Sequence, residues 1–496
     1  MAKDEILERL NQVHPTYAAA CSRWRRYRAM TDGVETYDEK AEWLPCGSFE
    51  TPSTHKIRLS ITHSLPLSPA AVRRVVGQLV KTAPARDYTA IGESVAKDDL
   101  TEFDTNSDGR GKPLTDTVRS LFREALKMGI AFAFVDRDLI DDPATAADEA
   151  LPFIEQWKAE EVINWSSDSK GALEWVVMRR VVSSQPNALA KRTRKTIWRI
   201  LTRMDGVEYS LPTGDTAASP EITKHWVHNL GLVPLVPMYV TQDTPMGGES
   251  YIHTISLADL RKLQFDSDQA MSSHLHGNPR LIIKTARDLE QIAADASQAI
   301  KLNPEDNEDA RYLALDATGM DVRERLLEST GKQALQASGI EPLVDHALQA
   351  REAASGAAMA WSFSRSEEPT LSALVDELDR FEVGVHECVM RYIAPPTAGV
   401  PAGASSRLFT GTIKHARQWD LMAVDRSVDL AQAAWPMVKS NSWRQAVAAD
   451  IAKRVPGNLP PEIEHTILNE IKQSSADAGV GMSPAAEALD TTHLRP

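Results

Sequence analysis

The sequence predicts an α+β protein assembled from several domains, and three features of the chain lead to this prediction. Its 496 residues exceed what one hydrophobic core usually organises, which favours about three domains. Residues 151–241 alternate between short β-rich runs and turn residues. Two helical stretches, 251–277 and 320–338, flank a compact mixed module at 278–319, and the pattern beyond residue 407 is helical.

The composition is that of a globular protein, with 42% hydrophobic and 25% charged residues. No apolar run approaches the roughly 20 residues that cross a bilayer, and the N-terminus lacks the apolar core of a signal peptide, so we expect no membrane partner. The cysteines show no metal or redox spacing, which fits a reducing cytosol: Cys21, Cys46 and Cys388.

The formal net charge of −14 argues against a protein that coats nucleic acid by charge attraction, because such proteins present basic surfaces. The same charge suits a wall past which a polyanion must slide, since tight phosphate contacts would stall its movement. An acidic chain therefore remains compatible with DNA as a passing partner.

The N-terminal region predicts helices around one strand. Residues 2–32 carry apolar side chains at helical spacing, 57–61 are expected to form a strand, and 68–80 a helix with Ser68 as N-cap. Two interpretations of the arginines around Trp24 stay open, a solvated helix face and a nucleic-acid contact, and the first is favoured. These arginines are Arg23, Arg25, Arg26 and Arg28.

The next stretch predicts a polar turn, a helix and a buried strand. Residues 104–109 imitate the start of a calcium-binding loop, but Thr115 stands where the bidentate glutamate is needed, so a polar turn is favoured. Residues 114–128 form an amphipathic helix that Gly129 ends, followed by an apolar strand at 130–135. The inward positions of the helix are Val118, Leu121, Phe122, Ala125 and Leu126.

Several strands are predicted between residues 175 and 237. Runs at 175–182, 197–202 and 207–211 are β-rich, with Asp205-Gly206 as the turn before the last. The basic segment 185–195 is expected to be an exposed hairpin tip, and a nucleic-acid arm is its alternative. Pro234 and Pro237 favour a short edge strand.

A helix at 253–276 carries Asp259, Asp266 and Asp268. Strands at 280–284 and 311–315 enclose a helix at 286–299, and a long third helix covers 350–394. A Pro/Gly/Ala/Ser-rich linker precedes further helices at 414–437, 442–454 and 461–476, and the last twenty residues, 477–496, are expected to be a flexible tail.

No catalytic motif is present in the sequence. The run Ser329-Thr330-Gly331-Lys332 lacks the first glycine and the Ser/Thr of a phosphate loop, and no serine-nucleophile, zinc-protease or paired-cysteine signature occurs. We therefore predict a protein without enzymatic activity, cofactor or metal.

Five collinear stretches resemble the portal (head-to-tail connector) proteins of tailed bacteriophages. The likeness extends over most of residues 10–395 and consists of ordered patterns without a catalytic string. The stretches are His14-Pro15-x-Tyr17 to Trp24-Arg25, Asp108-Gly-x-Gly-x-Pro-Leu114 through Gly129 to Val135-Asp136, Glu161-Val-Ile-Asn-Trp165, Ile255-Ser-Leu-Ala-Asp-Leu260 through His276-Gly-Asn-Pro279, and Ser355-Gly-Ala-Ala followed by 371–393.

The resemblance implies a portal-like subunit and a ring, usually of twelve copies, at one capsid vertex. Its expected parts are an N-terminal wing (1–250), stem helices (251–277 and 320–338) around a clip (278–319), a tunnel loop (339–349), a wing spine helix (350–396), a helical crown (407–476) and the tail. Double-stranded DNA would pass through the ring during packaging and ejection. The implied partners are the terminase large subunit, a head–tail adaptor, and the major capsid and scaffolding proteins, in the virion and, during assembly, in the host cytoplasm.

The resemblance also implies three groups of site residues. The tunnel loop would present Glu341, Leu343, Val344, Asp345, His346 and Gln349 to DNA, with Arg351 just beyond. The stem would present Asp259, Asp266 and Asp268 to the channel, so lysine at these positions is expected to stall packaging while rings still assemble. The clip would use Lys284, Arg287 and Lys301 for phosphate or an acidic partner. A DNA-packaging or processing enzyme and another virion adaptor protein are the alternatives.

Overall fold

The computed structural model describes residues 3–48, 50–91, 95–137, 151–185, 187–213, 219–277, 280–284, 309–313, 325–326, 328–333, 368–393 and 408–416. The chain divides into two compact units, Met1–Val344 with Arg365–Ala416 and Asp345–Ser364 with Arg417–Pro496, and every described residue belongs to the first. The predicted tunnel loop and tail, most of the crown, most of the clip and the first part of the spine helix lie outside the described residues. The described start of the crown, 408–416, contains a strand at Thr412–Lys414 where helix was predicted.

Five helices form the N-terminal region: α1 (Lys3–Leu10), α2 (Pro15–Asp32), α3 (Tyr37–Trp43), α4 (Pro52–Ile61) and α5 (Ser68–Leu79). The strand predicted at 57–61 is wrong, because these residues belong to α4. Thr51 caps that helix by accepting a hydrogen bond from the Thr54 amide, and Pro52 occupies its first turn. The start signal thus outweighed the β-branched residues that follow it.

A short strand β1 (Ala85–Asp87) and two helices, α6 (Val95–Thr105) and α7 (Leu114–Met128), lead into the buried strand β2 (Ile130–Asp136). The inward face predicted for α7 is confirmed, since its five predicted apolar positions are buried. Gly129 ends α7 in the left-handed region at φ 90°, and a Cβ there would lie 2.3 Å from the carbonyl oxygen of Gly248. Only glycine fits both constraints.

The predicted polar turn between α6 and α7 is confirmed. The Asp108 carboxylate accepts hydrogen bonds from the amides of Arg110 and Lys112, and the Asn106 side chain accepts one from Gly111. Backbone amides therefore occupy the oxygens that a calcium loop would offer to the ion.

Two antiparallel sheets follow. Strands β3 (Phe153–Lys158) and β9 (Leu235–Tyr239) flank β2, which makes β9 the edge strand that the prolines predicted. The second sheet is a meander of β4 (Val162–Ser167), β5 (Leu173–Ser184), β6 (Thr193–Thr202), β7 (Asp205–Pro212) and β8 (Glu221–Val227). The exposed hairpin tip expected at 185–195 joins β5 to β6, and its last residues, 193–195, already belong to β6, where Thr193 pairs with Ser184.

The turn between β6 and β7 corrects a prediction. Leu201 pairs with Gly206, so Asp205 and Gly206 already belong to β7 and the chain reverses at Arg203-Met204. Gly206 is needed for packing, because a Cβ there would lie 2.4 Å from the Trp226 ring.

Residues 241–250 contain a small hairpin of β10 (Gln242–Thr244) and β11 (Gly247–Gly248), which leads into the long helix α8 (His253–Gly277). Strands β12 (Arg280–Lys284) and β13 (Asp309–Leu313) then pair antiparallel, with Ile282 opposite Arg311. Helix α9 (Glu368–Ile393) is the described part of the predicted spine helix, and β14 (Thr412–Lys414) pairs with β1. The described residues are thus α+β, as predicted.

Candidate channel helix and its attachment

Helix α8 is attached to the N-terminal helices along one face. Leu263 of α8 packs in a buried apolar cluster with Met30 of α2, Leu44 just after α3 and Leu59 of α4. Burying such side chains stabilises the contact by about 1.5–3 kcal/mol each. The same face also carries polar side chains that are fully buried, and each of them has a partner on another helix.

Asp259 is 1% exposed and binds the start of α5. Its carboxylate accepts hydrogen bonds from the amides of Leu67 (2.7 Å) and Ser68 (2.8 Å) and from the Ser68 hydroxyl (2.5 Å). Residue 67 is a leucine and offers no side-chain cap, so Asp259 satisfies amides that the helix leaves free and places a negative charge at its positive end. Burial raises the pKa of Asp259, and these donors and Lys262 act in the opposite direction.

A second polar connection joins Ser267 to α4. The buried Arg58 donates to the Ser267 hydroxyl at 3.1 Å, and Thr62 donates to the same oxygen at 3.0 Å. Arg58 also forms a two-bond pair with Glu50 at 2.9 and 2.8 Å. The hydrogen bonds from Arg58 lower the pKa of Glu50 to about 2. This arginine thus fixes the turn before α4 and the middle of α8 together.

Asp266 lies beside a groove of about 900 Å³ between α8 and the loops that precede α3 and α5. Its carboxylate accepts a hydrogen bond from Ser64 at 2.6 Å and pairs with Lys262 at 2.5 Å. Across the groove, the buried Lys40 donates to the carbonyl oxygens of Leu59 and Thr62 at the end of α4. A cation at the C-terminus of a helix interacts favourably with the helix dipole.

The first turn of α8 has its own contacts. The Tyr27 hydroxyl lies 2.6 Å from His253 Nδ1, and Arg26 donates to Ser256 at 3.2 Å. Just before the helix, Ser250 donates to the carbonyl oxygens of Lys127 and Leu126 at the end of α7. Side chains of α2 and backbone carbonyl groups of α7 therefore position the start of α8.

The opposite face of α8 is exposed and carries no net charge. Its residues are Thr254, Leu257, Arg261, Gln264 and Asp268. Asp268 is exposed, and its place on a channel wall stays a prediction. Asp259 faces the interior and Asp266 is occupied by Ser64 and Lys262, which corrects the assignment of these two to the channel face. The three aspartates have the same spacing signal in the sequence, so they received the same predicted role. Their different environments depend on contacts with α5 and the loop before it, which the sequence pattern does not show.

The remaining predicted site residues belong to the clip and the tunnel loop. Lys284 is exposed at the end of β12. Arg287 and Lys301 lie outside the described residues, as does the whole predicted tunnel-loop set of Glu341, Leu343, Val344, Asp345, His346, Gln349 and Arg351.

Sequence reasoning missed a buried charge cluster around α9. Glu382 is 0% exposed and accepts a hydrogen bond from Arg86 Nε on β1 at 3.0 Å. Its other oxygen lies 3.1 Å from His415 Nε2, just beyond β14. Tyr88 donates to Asp104 at 2.7 Å and contacts His386 Nε2 at 2.8 Å. The only sequence signal was the spacing of three titratable residues on an apolar helix, Asp379, Glu382 and His386.

The same helix binds the segment that carries β14. The Glu387 carboxylate accepts hydrogen bonds from the amides of Leu408 (2.9 Å) and Phe409 (2.8 Å). Asp379 accepts hydrogen bonds from the His415 amide at 2.9 Å and from its Nδ1 at 2.7 Å. Three carboxylates of α9 thus fix residues 408–415, which begin the span predicted as the crown.

His415 should make the stability of this region depend on pH. Burial acts to lower its pKa, but hydrogen bonds to Asp379 and Glu382 outweigh burial and raise the pKa to about 9. Because the raised pKa favours the protonated form, its contribution is complete below pH 6.5 and is lost as the pH rises through about 9. We expect a loss of at most about 3 kcal/mol in the opening free energy of residues 408–415.

Amide hydrogen exchange at several pH values, corrected for the intrinsic pH dependence, measures this loss. His415→Gln is the control and should remove the slope between pH 6.5 and 9. An equal slope in both proteins would assign the effect to another group.

The arginines around Trp24 are mostly structural, as the favoured interpretation predicts. Trp24 is buried and donates its indole N–H to the carbonyl oxygen of Met128 at 2.9 Å. Arg28 pairs with Glu124 and Glu160, and Arg25 pairs with Glu42. The charges therefore bind carboxylates of the same chain.

No described helix is long and apolar enough to cross a membrane. Within the same residues, no group of His, Cys, Asp and Glu side chains has the arrangement of a metal site.

No protein-family model and no curated protein matches the chain. Among solved structures, it is similar to a chain of the "Virion of native gene transfer agent (GTA) particle", at 11% identity and a TM-score of 0.39 over 85% of this chain and 98% of the other. It is also similar to chains of the "Neck of empty GTA particle computed with C6 symmetry" and the "Neck of native GTA particle computed with C12 symmetry". Both have 12% identity and a TM-score of 0.37 over 86% of this chain, and cover 96% and 97% of their own. Similarities of this size assign no function.

Proposed function

We propose that the chain is a structural subunit of a ring at one vertex of a phage-like particle, and that DNA passes through this ring during packaging and ejection. One observation carries the proposal. The chain leaves the N-terminal helices along α8 and forms the strand pair β12–β13. A helical segment at 328–333 then lies again beside Leu67, the residue that α8 binds near its start.

Two contacts show where this helical segment lies relative to α8. Residues 328–333 are helical, and a Cβ on Gly331 would lie 3.5 Å from the Leu67 side chain. The Leu67 amide binds Asp259, which lies in the first third of α8. The 18 residues from Asp259 to Gly277 span about 27 Å as helix, so the excursion projects about that far before it returns.

A projection of this kind suits the stem of a ring, with a small module at its end for partners. We assign 251–277 and 320–338 to the stem, 278–319 to a clip that binds the terminase large subunit and later a head–tail adaptor, and 339–349 to a loop facing DNA. Residues 350–396 would be the spine helix, 407–476 the crown and 477–496 its tail. Residues 1–250 form most of the wing, which would contact the major capsid and scaffolding proteins.

The exposed face of α8 is the proposed channel wall. Arg261 and Asp268 balance each other among the neutral Thr254, Leu257 and Gln264. A surface with few lysines or arginines releases few condensed counterions when it contacts DNA. Its binding to DNA is therefore weak and depends little on salt concentration. Weak binding favours passage of the duplex over capture.

Electron microscopy of the chain co-expressed with its capsid and scaffolding proteins tests the proposal. We expect annular particles of about twelve copies with an axial hole, since heterologous contacts between identical subunits close into rings. Particles without a central hole would overturn the ring. ATP hydrolysis or DNA cleavage by the purified chain would instead support the enzymatic alternative.

A further inference from the structure

The hairpin tip (residues 185 and 187–195), which joins β5 to β6 and includes the first residues of β6, has hydrogen bonds of its own. The Asn187 side chain accepts from the amides of Leu189 (3.0 Å) and Ala190 (2.8 Å), and Gln185 donates to the carbonyl oxygens of Ala188 and Ala190. Leu189 is nevertheless 98% exposed. A loop held in one conformation with a fully exposed leucine is suited to docking, because little entropy remains to be lost.

Four cations follow the exposed leucine: Lys191, Arg192, Arg194 and Lys195. Against the rest of the described chain, none of the four forms an ion pair. Arginines nearby in the same sheet behave differently, since Arg180 and Arg199 both bind Glu155 and Arg203 binds Asp168. The tip therefore presents positive charge that its own sheet does not neutralise.

The sheet that carries the tip also has exposed apolar side chains on one face. Paired residues of neighbouring strands share a face, and residues along a strand alternate between faces. Arg180 and Arg199 share the face that covers Trp157, with guanidinium groups 3.8 and 5.7 Å from its ring. The opposite side, here called the outer face, carries Val181, Ile222 and Val227, which are 58%, 61% and 55% exposed.

We propose that the hairpin tip and the outer face bind a carboxylate-rich surface on the adjacent copy of this chain. The inference rests on the ring proposed above. Charge complementarity selects this partner, because each copy carries a formal net charge of −14 and the tip is locally basic. Exposed apolar side chains on the outer face contribute nothing to phosphate binding, whereas they stabilise a protein interface, so a neighbouring subunit fits better than DNA.

Charge reversal at the tip tests the proposal. Arg192→Glu with Arg194→Glu should weaken ring formation roughly 100-fold or more, measured as the protein concentration at which half the chains are assembled, because two attractions become repulsions. The matched control, Arg110→Glu with Lys170→Glu, makes the same charge change at two other exposed turns and should alter that concentration by less than about 3-fold. Equal assembly of both variants overturns the proposed contact and leaves the ring intact.

A photo-crosslinking residue in place of Leu189 identifies the partner in wild-type rings. A crosslink between copies, to a peptide bearing Asp or Glu, supports the proposal. Crosslinks only within one chain, or to packaged DNA, overturn it. A chain that forms no ring even with its capsid and scaffolding proteins present contradicts the proposed function itself.

Discussion

Replacing Glu382 with glutamine is expected to destabilise the attachment of residues 408–415 to α9 by about 3–5 kcal/mol. The carboxylate is 0% exposed and lies between Arg86 and His415. An amide of the same size keeps the packing but leaves two buried cations with less negative charge around them. Removing one partner from a buried ionic cluster costs more than the cluster contributes, because the remaining charges stay desolvated.

Hydrogen exchange in peptides covering β1 and β14 measures this change locally. A loss of 3 kcal/mol or more corresponds to opening that is roughly 100-fold more frequent. Glu377→Gln is the matched control on the same helix, since Glu377 pairs with the exposed Arg380 and should cost less than about 1 kcal/mol. Unchanged protection in Glu382→Gln would mean that β14 is fixed by packing alone.

Regular local patterns were predictable from the sequence. Helix α7 combines apolar residues at helical spacing with a glycine at its end, and both the buried face and the left-handed Gly129 follow from that pattern. The meander strands, the exposed hairpin tip, helix α8 and the β12–β13 pair were predictable in the same way. In these elements, side-chain periodicity and turn chemistry agree with the tertiary contacts.

Features that depend on distant partners were not predictable. The strand predicted at 57–61 failed because a capping threonine and a proline outside that window determine the helix. Asp259 binds an amide 191 residues away, and Arg86 binds a carboxylate 296 residues away. Periodicity identifies which side of a helix is apolar, but it does not tell which polar side chain has a buried partner.

The difference between exposed and buried aspartates determines which substitutions in α8 test contact with DNA. Lysine at Asp268 remains a test of the channel wall, because that side chain is exposed and forms none of the hydrogen bonds that attach the helix. Lysine at Asp259 would instead place a cation against the amides that begin α5. Its effect on packaging would then follow from displaced helices and would say nothing about DNA.

Asp259→Ala should destabilise the contact between α8 and α5 by about 3 kcal/mol. The change leaves the amides of Leu67 and Ser68 buried without an acceptor, and each such donor costs about 1–3 kcal/mol. We expect a lower denaturant midpoint and faster amide exchange at the start of α5, and fewer assembled rings. Asp268→Ala on the exposed side of the same helix should change stability by less than about 0.5 kcal/mol.

Asp259→Asn separates geometry from charge. The amide oxygen can accept one of the two backbone hydrogen bonds, but its NH₂ group meets the other donor, so an intermediate loss is expected. Similar exchange rates in Asp259→Ala and Asp268→Ala would show that apolar packing around Leu263 alone positions the helix. A loss of stability that is largest for Asp259→Ala and intermediate for Asp259→Asn would instead identify the charged cap on α5 as the contact that fixes the proposed channel helix.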